Sequence, residues 1–339
     1  MANVLGRSWS GLVDILFDDA RMVVQVFLVT SGYLVARSLA KKDRISLIPS
    51  VFRRYLRLLP SYVSAIFLTI TVTSLMRDYF DAIMFKQGVQ SWLPAQSTWT
   101  GFLGHLFLLQ NVLHLEALTV GVWYVSIDLQ LFILTLILVW LADSLRGNKD
   151  LKGRMVLVCA LSCLSLWVFN LDIRFDNYAV YFFGAYGMGM LSFWATQSSR
   201  GKNLFYLTTI SALGSFAYAP RTRLLIAIGT AVCLYWATRL KPSSTLNPKA
   251  KYLSLLSDSS YALFLNHFSV IIVMSGCWFY FNFHSALSAA AFIGLGWALS
   301  FIFSLMIYKC VEQPFISLVS KQIDSLVLHR GPLRLRSQS

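Results

Sequence analysis

Three sets of residues in this 339-residue chain could do chemistry, and each stands in or beside sequence that is otherwise apolar. Asp128 is the lone charge in VWYVSIDLQLFIL. On a helix it shares a face with Tyr124, four residues earlier, while Gln130 points elsewhere. His267 lies in SYALFLNHFSVII beside Asn266. An imidazole there could accept a proton near neutral pH, and a carboxylate could steady an imidazolium. Each also fits a plainer role, the carboxylate reaching interfacial water and the histidine satisfied by one hydrogen bond. Arg53, Arg54 and Arg57 in FRRYLRLLPSY form the densest basic cluster, with Arg53 and Arg57 on one helix face and Arg54 about 100° round. Guanidinium forks suit phosphate, so an anionic ligand arriving from the cytosol is one reading and anchoring beside anionic lipid is the other.

The elements that must hold these residues are apolar helices. Apolar residues make up 57% of the chain and charged residues only 13%, which excludes a water-soluble globule and leaves an all-α, polytopic transmembrane helix bundle. Stretches of spanning length fall at 22–39, 60–76, 121–142, 155–171, 177–196, 203–219, 222–238, 259–280 and 287–308, nine in all, with 203–219 and 222–238 parted at Ala219-Pro220-Arg221. No repeat or linker divides them, so residues 1–320 read as one integral membrane domain and 321–339 as a basic cytoplasmic tail. Pro314 is expected to end or bend the last helix just after Glu312, which would then pair with a nearby arginine. The five cysteines sit in or at the ends of apolar stretches without metal-like spacing and read as small core residues, so no metal is expected.

The net charge of +14 has a topological source. Segments 37–57, 146–154, 200–202, 239–251 and 309–339 hold 22 of the 29 Lys and Arg residues. Cytoplasmic loops collect basic residues, so these segments and the C-terminus are placed inside. Charge spread over five loops, not gathered on one face, speaks against nucleic acid as a partner. The segment 77–120 then lies outside, with His105, His114, Trp92, Trp99, Gln110, Asn111 and Glu116. It reads either as an interfacial anchor or as a sugar-binding platform. Nine spans with an inside C-terminus put the N-terminus outside, yet residues 1–20 hold no signal peptide. Either residues 9–17 form a short surface helix or a further helix belongs upstream of Met1.

Taken in order, these stretches resemble the signature of the acyltransferase-3 family, bacterial inner-membrane proteins that O-acylate cell-surface carbohydrates and other molecules. VQVFLVTSGYLVARSL is similar to its phenylalanine-rich segment ending in Ser-Gly-Phe/Tyr-Leu, and FRRYLRLLPSY to its Arg-Arg…Arg-Leu…Pro-x-Tyr segment. VWYVSIDLQLFIL, SYALFLNHFSVI and VEQPFI resemble its Trp-Ser-Leu-Ser-x-Glu, Ser-Tyr-x-Leu-Tyr-Leu-x-His and Glu-x-Pro elements. The resemblance implies an enzyme that moves an acyl group, acetyl foremost, from acyl-CoA to a hydroxyl of an envelope carbohydrate or lipid-linked sugar. It further implies that Arg53, Arg54 and Arg57 hold acyl-CoA phosphates, and that Asp128 stands for the family's glutamate, one methylene shorter. His267 and Glu312 match later family positions. The family pattern also has a first helix with an arginine followed by a catalytic histidine, whereas residues 1–36 contain no histidine. With the odd span count, this predicts a chain one helix short of a family-like ten, in which His267 would have to serve as base. A membrane transporter or lipid flippase handling protons through Asp128 and His267 is the alternative from another class, and a degenerate family member acting as a partner protein is a third.

Overall fold

The structure, a computed structural model, describes residues 20–41, 46–86, 93, 98–146, 150–239, 248–281 and 285–319. Residues 9–17, Trp92 and the tail 321–339 lie outside the described residues. The described residues hold ten α-helices and no strand: α1 (Val24–Ala40), α2 (Leu47–Lys86), α3 (Trp99–Leu106), α4 (Val122–Arg146), α5 (Leu151–Trp167), α6 (Ala179–Ala195), α7 (Ser199–Tyr218), α8 (Thr222–Ala237), α9 (Pro248–Tyr280) and α10 (Ala286–Ile307). Each apolar stretch read from the sequence is helical over most of its length, and the break between α7 and α8 falls at Ala219–Arg221. Among the described residues five stretches are long and apolar enough to cross a membrane, Leu47–Ala82, Val122–Leu145, Leu151–Leu171, Ser254–Tyr280 and Ala286–Val319, and α1 and α8 are shorter apolar helices. The architecture is an all-α, multi-spanning, membrane-type bundle. The described helices fall into two compact units.

The first unit contains α1 and α3 to α8. At its centre stands α6, AVYFFGAYGMGMLSFWA, apolar on every side, and every residue but Val180 is buried. It packs against α1, α4, α5, α7 and α8. Lipid tails are as apolar as leucine, so the association of such helices depends on close fit, not on expelling water. Glycine supplies the fit between α1 and α6. A Cβ on Gly32 would strike the Tyr186 carbonyl, and one on Gly189 would strike the Val29 carbonyl. The two backbones therefore touch, and Tyr33 packs edge-on against Phe193 beside the contact, with ring centroids 5.4 Å apart. Polar ties hold the turns. Arg221, between α7 and α8, donates to the backbone and side-chain oxygens of Asn170 and to Ser215 Oγ at 2.8 Å.

The second unit comprises α2 from Arg53, α9, and α10 from Ala291 with the turn that follows it. Its register is read from paired contacts. Tyr261 donates to the Leu58 carbonyl at 3.1 Å, Thr69 and Ser269 share a 2.9 Å hydrogen bond, and Gly276 faces Met76, so α2 and α9 run parallel. Met274 faces Gly296 and Trp278 packs on Phe292, so α10 runs antiparallel to α9. One end closes on an apolar cluster of Phe80, Leu93, Phe268 and Ile272.

Two expectations are corrected in part. Of the alternatives that Pro314 ends or bends the last helix, it does not end it. A π turn at Tyr308–Glu312 precedes it, and helix resumes to residue 319. Proline has no N–H to donate and would clash with the carbonyl four residues back; the wider π register relieves that conflict without stopping the helix. Nor are all the cysteines core residues. All five are free thiols, and Cys233 and Cys310 are exposed, because on a lipid-facing helix apolar residues need no burial inside the protein.

Candidate active site

The residues singled out from sequence fall in both units: Asp128 in the first, and Arg53, Arg54, Arg57, His267 and Glu312 in the second.

Asp128 sits two turns into α4, 4% exposed. Ser31 on α1 donates to its Oδ1 at 2.6 Å. Ser31 adjoins Gly32, so the contact that brings the α1 backbone onto α6 also sets the hydroxyl against the carboxylate. Tyr124, on the face expected from the helical spacing, is buried and packs against Phe27, with centroids 6.1 Å apart. Gln130 turns away and does different work. Its Oε1 accepts the Ala179 N–H at 3.1 Å, capping the start of α6.

The mouth of α4 is braced by the loop after α3. Gln110 donates to the Val122 carbonyl at 3.0 Å, Asn111 to the Trp123 carbonyl at 3.1 Å, and Ser126 to the Leu108 carbonyl at 2.6 Å. His105 is wholly buried. Its Nδ1 donates to the Gly101 carbonyl at 2.8 Å and its Nε2 accepts the Leu118 N–H at 3.2 Å, so the ring is the neutral Nδ1–H tautomer. Burial pushes its pKa below the ordinary histidine value. His105 is therefore a pin for this loop, whereas Trp99 is 83% exposed, as an interfacial residue would be.

In the second unit the three helices bring their charges to one end. Arg53 and Arg57 are exposed on α2, with Arg54 half-buried between them. Glu312, on the π turn, is 6% exposed and accepts a hydrogen bond from Ser61, one turn beyond Arg57. Arg57 also acts electrostatically on this carboxylate. The expected partner of Glu312 was an arginine; the hydrogen bond comes from a serine and the arginine contributes at longer range. Tyr308, at the start of the same turn, lies in the field of Asp258, Glu312 and Arg57. His267 is about 9 Å further along α9 than Tyr261, six residues at about 1.5 Å each. It is half-buried, and its Nδ1 donates to the Leu263 carbonyl at 3.1 Å. The lone pair of a neutral ring is then on Nε2.

Three contacts that hold the buried charges were not found from sequence. Ser31 and Ser61 hold the two carboxylates from helices far away in the chain, and a serine next to glycine or proline in an apolar run was the only local sign. Arg154, counted among loop charges, is 1% exposed. It forms a fork on Asp143, with Nε to Oδ1 at 2.8 Å and Nη2 to Oδ2, which clamps α4 to α5. Among the described residues no group of three or more His, Cys, Asp or Glu side chains is placed to hold a metal.

Comparison with known proteins adds a family. The chain matches neither a curated protein nor a solved structure. A family model described as an acyltransferase domain matches residues 6–309, which takes in every helix described above but the last turns after α10. Membership is consistent at the family level with acyl transfer from acyl-CoA, and the chain belongs to the acyltransferase-3 family.

Proposed function

We propose that this chain lies in a bacterial inner membrane with its C-terminus in the cytoplasm, through nine spans or a family-like ten, and moves an acyl group, acetyl foremost, from acyl-CoA to a hydroxyl of an envelope carbohydrate. The observation that carries the reading is the exposed arginine face of α2, gathered at the end of its unit beside a carboxylate that already takes the Ser61 hydroxyl. Guanidinium groups one helical turn apart suit the phosphates of CoA. His267 serves as base through Nε2, taking the proton of the acceptor hydroxyl as its oxygen attacks the thioester carbonyl. Collapse of the tetrahedral intermediate breaks the C–S bond, and the thiolate of CoA recovers the proton. In the first unit Asp128, held by Ser31, is the carboxylate assigned a catalytic role.

The test is CoA release from acetyl-CoA by the purified chain, made with and without its upstream codons. Turnover in either form supports the reading, and none in either overturns it. Arg57→Ala should weaken acetyl-CoA binding about tenfold or more, while Lys152→Ala leaves it unchanged. Equal effects would reduce the arginine face to a lipid anchor.

A further inference from the structure

One polar cluster has no part in the chemistry above. His114, from the loop after α3, meets Asn177 and Tyr178, from the segment before α6, on the surface of the first unit. Asn177 Nδ2 lies 3.2 Å from His114 Nδ1, and Tyr178 Oη lies 3.3 Å from Nε2. An amide nitrogen only donates, so Nδ1 accepts, and the proton of the neutral ring is on Nε2, which donates to the tyrosine oxygen. This direction leaves the Tyr178 hydroxyl proton and Asn177 Oδ1 unused within the cluster, one donor and one acceptor on either side of an exposed imidazole. The histidine and tyrosine rings stand edge to face, with centroids 6.2 Å apart.

The cluster is built rather than loose. His114 is held at φ 52°, a left-handed conformation uncommon outside glycine and one that tends to persist where surroundings impose it. On one side Gln110 and Asn111 fasten its loop to the first turn of α4; on the other Gln130 fastens Ala179, next to Tyr178, to the same helix. Asp128 lies about 9 Å along α4 from that first turn, six residues at about 1.5 Å each. The cluster offers a hydroxyl, an amide and an imidazole with no Lys, Arg or carboxylate among them, which suits a hydroxyl-rich ligand better than a phosphate. Neighbouring hydroxyls of a ring sugar can accept from Tyr178 and donate to Asn177, while its apolar face rests on an aromatic ring.

We infer that His114, Asn177 and Tyr178 form the subsite that receives the carbohydrate acceptor, an inference that rests on the proposed carbohydrate O-acylation. Saturation-transfer-difference NMR on the purified full chain in detergent reads it without acylation, using the methyl glycosides of glucose, galactose, mannose and rhamnose as probes. At least one glycoside should be saturated by the wild type, and Tyr178→Phe and Asn177→Ala should weaken its binding about three- to tenfold. His114→Gly, which accommodates the positive φ, should lose the same binding while its melting temperature holds or rises. No saturation of any glycoside, or variants that bind like the wild type, overturns the subsite. CoA release measured in parallel separates the two readings. Glycoside binding without CoA release leaves the subsite standing and defeats acyl transfer, whereas CoA release with an acceptor dependence untouched by the three variants does the reverse.

Discussion

Asp128 and Glu312 are both buried carboxylates that accept a serine hydroxyl, yet they are set on backbone of different kinds. Asp128 stands on a regular helix, in a unit whose centre is a buried glycine-rich helix. Glu312 stands on a π turn, with an arginine one turn from its serine. The same local chemistry thus has two settings. In the first, rigid backbone packing delivers the hydroxyl. In the second, an irregular backbone carries the carboxylate, and Arg57 acts on it at longer range. A carboxylate in the field of an arginine is suited to keeping that cation near the helix end, while one set by rigid backbone packing is suited to steadying a charge that develops during a reaction.

Substitution should separate the two roles. Asp128→Asn preserves shape and is expected to lower the turnover of CoA release about 10²–10⁴-fold with the melting temperature nearly unchanged. Glu312→Gln can still accept from Ser61; turnover should stay within about threefold, with stability lower by about 1–2 kcal/mol. Equal losses of turnover would break the distinction. A third carboxylate sharpens it. Asp143 is paired outright with Arg154, and Arg154→Ala should destabilise the first unit by about 2–3 kcal/mol, less than for a wholly buried pair, since Asp143 is 24% exposed. Thermal melts followed by size exclusion read this loss, and adding Asp143→Asn should recover part of it.

Gly32→Ala tests the backbone contact itself. The added methyl must displace α1 from α6, at about 1–3 kcal/mol, and carry Ser31 away from Asp128, so stability and turnover should fall together. The smallest effect is expected from His105. Its folded pKa is lowered by burial, so below about pH 6.5 the unfolded chain takes up more protons than the folded one. That contribution to stability is complete above the ordinary histidine value and is lost as pH falls from there toward the lowered folded value. His105→Gln should flatten melting temperature against pH in this window, and an unchanged slope would remove the loop pin from the account.

What sequence could reveal follows from the range of each interaction. Composition and spanning lengths located the helices, the Ala219–Arg221 break parted α7 from α8, and the four-residue spacing put Tyr124 and Asp128 on one buried face. Helix neighbours were not legible, because in a bilayer the lipid-facing and core-facing sides of a helix are both apolar and the usual amphipathic signal disappears. The near-total burial of α6 and the exposure of Cys233 are two results of that loss. Partners of Asp128 and Glu312 come from serines 97 and 251 residues away, beyond any local pattern. Arg154 misled for another reason: a basic residue near a span end obeys the topology rule whether it faces water or a buried carboxylate.

The π turn has a consequence for how the chain can vary in length. A π turn holds one residue more than the α-helical turn it replaces, and its members Lys309, Cys310 and Val311 are exposed, with little packing to resist removal of one residue. Deleting one codon there should convert the turn to regular helix while the segments on either side keep their rotational phase. The same deletion within Ala286–Ile307 would rotate everything beyond it by about 100°. Position 308–312 is thus the place in this helix where a single-residue insertion or deletion can be absorbed, with Pro314 deciding which length is comfortable.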